Sequence, residues 1–292
     1  MKVHHLNCGT MCPLGELMIN GHGSPVSRGH LVCHCLLIEG PDGLVLIDTG
    51  LGTQDIMRPK HRIPGPILNT VLGLALDQKE TAITQVRALG LHPRDVRHIV
   101  LTHLDFDHAG GLADFPEAQV HVFTDELHNF LNSANPIDMI RYSQEQIAHQ
   151  PDWEVHELEG ERWMEFEAVR AMTVGSSDIL LVPLAGHTRG HCGVAIRAGD
   201  GWILHSGDAL FDLNELDPEG RHLPVGLRTF ENMLQYDREK RIQNVERLRE
   251  LKKAHGDSIH FICSHDPDGF EADAADGIKE FASTRIGRAE ML

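Results

Sequence analysis

The segment Leu101-Thr102-His103-Leu104-Asp105-Phe106-Asp107-His108-Ala109-Gly110-Gly111 is the densest run of reactive side chains in the sequence. Its H-x-D-x-D-H order sets His103, Asp105, Asp107 and His108 close together, directly after an apolar run that ends at Leu101. Successive side chains of an extended segment alternate in direction, so His103 and Asp105 share a side. Asp107 and His108 then fall at the turn into the next element. One short loop of this kind can address two neighbouring metal ions. Imidazole and carboxylate are ligands that suit zinc, iron and manganese.

Three later clusters repeat the same grammar of apolar strand followed by ligand. Gly186-His187-Thr188-Arg189-Gly190-His191 follows the apolar residues 179–184, Ser206-Gly207-Asp208 follows 202–204, and Ser264-His265-Asp266 follows 259–263. Strand ends that converge on one edge build a site on a rigid scaffold. The early segment Val45-Leu46-Ile47-Asp48-Thr49-Gly50 has the same form.

The elements that must position these groups can be read from periodicity. Strands are expected at 3–7, 31–39, 44–48, 96–101, around His121-Val122, and at 169–173, 179–183, 192–197, 202–204 and 259–263. The continuous apolar run at 31–38 predicts a strand buried on both faces. Gly40-Pro41-Asp42-Gly43 predicts the turn that follows it. Helices are expected at 79–89, 124–132, 135–150 and, as one long element, about 230–254. The irregular stretch 50–77, with Pro59, Pro64, Gly65 and Pro66, reads as a lid or binding loop with helical content near 67–76. No linker divides the chain, so residues 1–292 are read as a single domain of two mixed sheets face to face with helices outside.

Composition narrows the function. The chain has 292 residues and a formal net charge of −17, with 41% hydrophobic and 24% charged residues. That charge repels nucleic acid and anionic lipid, so a small-molecule substrate is the expected partner. No apolar stretch has the length of a membrane span. Cysteines at 8, 12, 33, 35, 192 and 263 form no disulfide or zinc-finger pattern, which favours a reducing, cytoplasmic compartment. Histidine is abundant, at 21 residues against 2 tyrosines and 10 phenylalanines.

The ordered set H-x-D-x-D-H, G-H-T-x-G-H, S-G-D and S-H-D, with D-T-G at Asp48-Thr49-Gly50, resembles the metallo-β-lactamase fold superfamily. The resemblance runs from about residue 30 to 270 and implies an αββα sandwich with two metal ions on one edge. Carried over by position, it implies that His103, Asp105 and His187 hold one ion and that Asp107, His108 and His265 hold the other. Asp208 would bridge both, while Asp48 would orient a ligand and His191 would brace its loop. His103-Leu104-Asp105-Phe106-Asp107-His108-Ala109-Gly110-Gly111 is most similar to the N-acyl-homoserine lactonase branch, which has H-L-H-F-D-H-A-G-G. Two departures stand out. Asp105 replaces a histidine, and Phe211 stands where those lactonases carry a tyrosine that assists the substrate carbonyl.

The implied reaction is hydrolysis of a lactone or carboxylic ester by a hydroxide shared between the two ions, with Asp107 passing a proton to the leaving group. Zinc is the expected metal, with iron or manganese admitted by the harder ligand Asp105. With three aspartates and a hydroxide the centre would be formally neutral, where the all-histidine pattern keeps one positive charge. Phe106, Phe211 and the loop from Ile56 to Leu76 would wall an apolar pocket. The alternatives are a phosphoester hydrolase, a thioester hydrolase like glyoxalase II, or a di-iron redox protein. The flavodiiron proteins also place a carboxylate at the Asp105 position, but no flavodoxin-like segment follows His265 here. A monomer or homodimer is expected. Among the remaining residues, His4, His5, His22, His30, His34 and His61 are scattered, and His22 or His30 could reach the site from an N-terminal loop. Cys33 and Cys35 read as core, and the charges from Glu239 to Lys253 read as a solvated helix face.

Overall fold

The computed structural model describes residues 1–64, 71–133, 135–175, 177–217 and 223–275. Strands β1 (Lys2–Met11), β2 (Leu31–Gly40), β3 (Gly43–Ile47), β4 (Val96–Val100), β5 (Gln119–Phe123) and β6 (Asp152–His156) form one sheet in sequential order. Its first three strands pair antiparallel, and β3 to β6 run parallel. After the small hairpin of β7 (Arg162–Trp163) and β8 (Phe166–Glu167) comes the second sheet. It comprises β9 (Val169–Val174), β10 (Ser177–Pro183), β11 (Cys192–Ala198), β12 (Gly201–His205) and β13 (Ile259–Ile262), in the order β13-β12-β11-β10-β9. Only β12 and β13 pair parallel in it.

Three apolar layers hold the sandwich. Between the sheets, Leu36, Ile38, Val45 and Ile47 meet Leu181, Val194, Ile196 and Ile203. On the outer face of the first sheet, Leu37, Leu46 and Ile99 pack with Ile83 and Val86 of the helix Ala82–Ala88. On the outer face of the second, Val182, Leu204 and Phe261 pack with Val245, Leu248 and Leu251 of the helix Arg238–His255. The order is helix, sheet, sheet, helix. Residues Leu31 to Ile38 of β2 are all buried, which accounts for their unbroken hydrophobicity. The burial comes from both neighbouring layers.

Several elements differ from the sequence reading. The long helix expected at 230–254 is two helices, Val225–Leu234 and Arg238–His255. Asp237 caps the second by accepting from the backbone N–H groups of Glu239 and Lys240. The break also releases the N–H groups of Tyr236 and Asp237, which donate to the carbonyls of Gly186 and His187. The segment expected as helix at 135–150 is a short helix, Pro136–Arg141, and a 3-10 turn, Gln144–Ile147. Residues 79–89 likewise divide into a 3-10 turn at Gln78–Glu80 and the helix Ala82–Ala88. Strand β6, Asp-Trp-Glu-Val-His, adds an edge strand to the expected set: its residues alternate polar and apolar, but over only five positions and with most of them exposed. Residues 65–70 of the expected loop, and with them the first part of its helical stretch, lie outside the described residues. Arg241 does not belong to a solvated face: it is buried against Glu231, Nη1 to Oε1 2.5 Å.

Candidate metal centre

The C-terminal ends of β3, β4, β12 and β13 open on the same edge because each pair runs parallel. Asp48 follows β3 with φ of 54°, a left-handed conformation that is costly for a residue bearing a Cβ. Its carboxylate accounts for the strain. Oδ1 accepts from the Thr102 backbone N–H at 2.8 Å, and Oδ2 accepts from Thr102 Oγ1 at 2.8 Å and faces His108 Nδ1 at 2.9 Å. Thr102 Oγ1 lies in turn 2.9 Å from His103 Nδ1. One buried carboxylate thereby fixes the orientation of both rings and aims their Nε2 atoms at a common centre.

Around that centre the seven candidate ligands come together. Asp208 Oδ2 lies 3.3 Å from His187 Nε2, 3.2 Å from His265 Nε2 and 3.9 Å from His103 Nε2, and its Oδ1 lies 3.3 Å from His108 Nε2. Asp105 Oδ2 is 3.4 Å from His103 Nε2 and 3.2 Å from His187 Nε2. Asp107 Oδ2 is 3.9 Å from His108 Nε2 and 3.7 Å from His265 Nε2. Two groups of three emerge, His103 with Asp105 and His187, and His103 with His108 and Asp208. A third joins Asp107 and His265 with the Cys33 sulfur, so Cys33 borders the centre as well as the apolar cluster that it was expected to fill. His191 stands behind. Its Nε2 accepts the Asp208 backbone N–H at 2.9 Å and its Nδ1 faces the Leu184 carbonyl at 3.1 Å, which occupies both ring nitrogens. His22 and His30 are exposed and do not reach the centre.

The electrostatics are those of a cation-binding cluster. Burial opposes a charge on His108, yet Asp208, Asp107 and Asp48 hold its imidazolium favoured well above the usual range. Burial likewise opposes a charge on His265, and Asp208 and Asp107 raise it. Burial and the Arg141 guanidinium push His187 down to about 3, which leaves it the neutral form that ligates metals. The buried atoms His103 Nε2, His108 Nε2 and Asp208 Oδ1 have no hydrogen-bond partner. Orphaned polar atoms in a buried site are costly. Here they point at one another, and a divalent cation satisfies them together, so the donor set fits the metal that the sequence resemblance implies.

Two residues that the spacing could not reveal complete the site. Arg141, buried at the end of the helix Pro136–Arg141, clamps Asp105: Nε is 3.0 Å from Oδ1 and 3.1 Å from Oδ2, and Nη2 is 2.6 Å from Oδ2. Its Nη1 donates to the carbonyls of His187, at 2.9 Å, and Leu234. Burial opposes ionisation of Asp105, but Arg141 and His103 hold its carboxyl well below the usual carboxylate range. The neutral charge count expected from sequence is therefore incomplete: Arg141 returns the positive charge that Asp105 removes. Glu126, buried on the helix Thr124–Asn132, ties the two ligand loops together. It accepts from the Leu104 N–H at 2.9 Å, from Thr188 Oγ1 at 2.6 Å and from the Gly190 N–H at 3.1 Å. Neither residue belongs to a motif, and both are contributed by helices that precede or follow the ligands at long range.

The centre forms the floor of a pocket walled by Met11, Leu31, Leu72, Phe106, Phe211 and Phe230. The Phe211 ring lies 5.7 Å from that of His187 and 5.3 Å from that of His265. No tyrosine lines this pocket among the described residues.

A sandwich of two mixed sheets with His and Asp donors gathered at one edge defines a class, and sequence comparison agrees. The family model for the metallo-beta-lactamase superfamily matches residues 28–254, and the chain belongs to that superfamily. It is similar to a probable metallo-hydrolase of Mycobacterium tuberculosis, 42% identical over 271 residues that cover 93% of this chain and 82% of that protein. The N-acyl homoserine lactonase AttM of Rhizobium radiobacter is 23% identical over 284 residues, 92% of this chain and 95% of its own. Among solved structures, an N-acyl homoserine lactone hydrolase with the product N-hexanoyl-L-homoserine bound at the catalytic metal centre aligns with a TM-score of 0.68. It shows 21% identity over 93% of this chain and 96% of its own.

Proposed function

We propose that this metal-dependent hydrolase opens a lactone or cleaves a carboxylic ester at a binuclear centre. The observation that carries the reading is the floor of the pocket: Asp105, Asp107, His187, Asp208 and His265 line it beneath apolar walls, and His103 and His108 join them in one cluster of donors. His103, Asp105 and His187 would hold one ion, Asp107, His108 and His265 the other, and Asp208 both. Two divalent ions, zinc by preference, would supply hydroxide at neutral pH and polarise a carbonyl oxygen. Asp107, 8% exposed and at the pocket floor, is placed to carry a proton to the leaving oxygen. Phe106 and Phe211 exclude water and take up an apolar acyl group. Phe211 offers no hydroxyl to a carbonyl, so this chain orients its substrate without that contact.

The pocket chemistry favours a neutral carbonyl substrate over a phosphoester. Arg141 is the cation of the pocket lining besides the histidines, and its guanidinium is committed to Asp105 and two carbonyls. Among the described residues of the lining, no positive side chain is left free for a phosphoryl group. The test is a panel of chromogenic ester, lactone, thioester and phosphodiester substrates, assayed on chelator-stripped protein before and after reloading with zinc or manganese. Hydrolysis of esters or lactones that returns with metal supports the reading. Metal-dependent hydrolysis confined to phosphodiesters or thioesters, or visible absorption of a bound iron pair with no hydrolysis, would replace it.

A further inference from the structure

Away from the catalytic edge, three elements bring a second set of ligand atoms together. His5 on β1, His34 on β2 and Asp273 on the helix Pro267–Ala275 each present one donor atom, all within 4.8 Å of one another. His5 Nδ1 is 2.9 Å from His34 Nε2 and 3.9 Å from Asp273 Oδ2. From β13, His260 Nε2 lies 2.7 Å from Asp273 Oδ1 and holds that carboxylate from behind. Phe270 closes the top, its ring 5.0 Å from and nearly perpendicular to that of His34. The side chains are shielded: His34 is 2% exposed and Asp273 6%.

We propose that His5, His34 and Asp273 form a separate site for a zinc-class transition ion, a structural clasp distinct from the hydrolytic centre. Three arguments support it. A buried carboxylate needs a positive partner, and the ion-pair partners of Asp273 among the described residues are imidazoles alone. His5 and His34 bring two ring nitrogens within 2.9 Å of each other, and paired imidazoles are ligands of the zinc class. A carboxylate steadied by an outer histidine is the kind of supported ligand that metal sites use. Zinc–nitrogen bonds of about 2.0–2.1 Å place tetrahedral ligand atoms roughly 3.4 Å apart, so His5 and His34 need part by only about half an ångström. The position gives the ion a task. β1 is one edge of the first sheet and β13 one edge of the second, and the helix carrying Asp273 lies against both β1 and β2. An ion here fastens the open side of the sandwich.

The test counts metal on full-length protein, stripped with chelator, reloaded with zinc and dialysed. Wild type, His5→Gln, Asp273→Asn and Asp208→Ala are compared by mass spectrometry of zinc content. The first two variants should each hold one equivalent fewer than wild type and keep ester hydrolysis. Asp208→Ala, which dismantles the hydrolytic centre, should keep one equivalent with a nitrogen and oxygen shell and no sulfur in its X-ray absorption. Zinc should raise the melting temperature of Asp208→Ala, and adding His5→Gln should abolish that rise. Because the readout is a difference of one equivalent, it holds whether the hydrolytic centre takes one ion or two. Equal zinc in wild type and His5→Gln, or an Asp208→Ala protein free of zinc, would overturn the proposal. Should Asp273→Asn not fold, the zinc content of Asp208→Ala with and without His5→Gln decides alone.

Discussion

Replacing Arg141 by methionine removes the charge that balances Asp105 and keeps much of the apolar stem. In the metal-free protein Asp105 is then a buried carboxylate stripped of the guanidinium that met it at 2.6 Å. Unit charges about 4 Å apart at an effective dielectric of about 20 interact by roughly 4 kcal/mol. That agrees with the roughly 3–5 kcal/mol lost when one partner of a buried ion pair is deleted. At about 2–4 °C per kcal/mol for a large domain, the stripped protein should melt roughly 10 °C lower. The loaded protein behaves differently, because a divalent cation on Asp105 compensates the same charge. The destabilisation should shrink on reloading with zinc, and zinc should bind the variant more tightly than the wild type. The lower limb of the pH–rate profile should move to higher pH, since a centre with one positive charge fewer holds water less acidic. Calorimetry of stripped and loaded protein, zinc competition against a chromophoric chelator and a pH series on one activated ester supply the measurements. The double substitution Asp105→Asn with Arg141→Met should recover stripped-state stability, and the cycle measures the pair directly. Equal destabilisation of stripped and loaded protein would refute the reasoning and leave Arg141 a fold residue alone.

Asp48→Asn keeps the left-handed backbone accessible but withdraws the negative charge that His108 Nδ1 and Thr102 share, so metal affinity should fall about 10–100-fold in a chelator competition. Glu126→Gln turns a donor toward Thr188 and the Gly190 N–H or toward the Leu104 N–H, and urea unfolding should show a loss of about 2–3 kcal/mol. Burial and the nearby Glu231 raise Glu215 to about 8. The folded protein then binds a proton that the unfolded chain releases near its ordinary pKa of 4.5, so this contribution to stability is full at low pH and is lost as pH rises to about 8. Glu215→Gln should flatten that decline, measured as melting temperature against pH between 5 and 8, and an unchanged slope would contradict it.

The sequence was most informative where chain-local rules apply. Strand ends followed by ligands depend only on neighbours in the chain, so His103, Asp105, Asp107, His108, His187, Asp208 and His265 could be singled out, and the structure brings their donor atoms together. The αββα order followed from the alternation of apolar strands with helices and from the motif resemblance. What escaped was long-range or local against the grain. Arg141 meets Asp105 across 36 positions with no signature in either flank. The helix break at Gln235–Asp237 contains neither proline nor glycine; it exists because Gly186 and His187 offer carbonyls to its N–H groups and Asp237 caps the next helix. β6 alternates polar and apolar residues over only five positions at a mostly exposed edge, too short a run to stand out. His5 and His34 looked scattered because their partner, Asp273, is supplied by the last described helix.

The grip of Arg141 on the Leu234 carbonyl has a practical meaning for anyone purifying this protein. Leu234 ends the helix whose Leu227 and Phe230 wall the pocket, so one guanidinium joins Asp105 to that wall. With no ion on Asp105, Arg141 is the charge partner of that carboxylate and still holds the carbonyls of His187 and Leu234. Under the proposed function, a batch short of metal should lose activity in proportion to its empty centres, so its zinc content, and not its protein concentration, sets the rate.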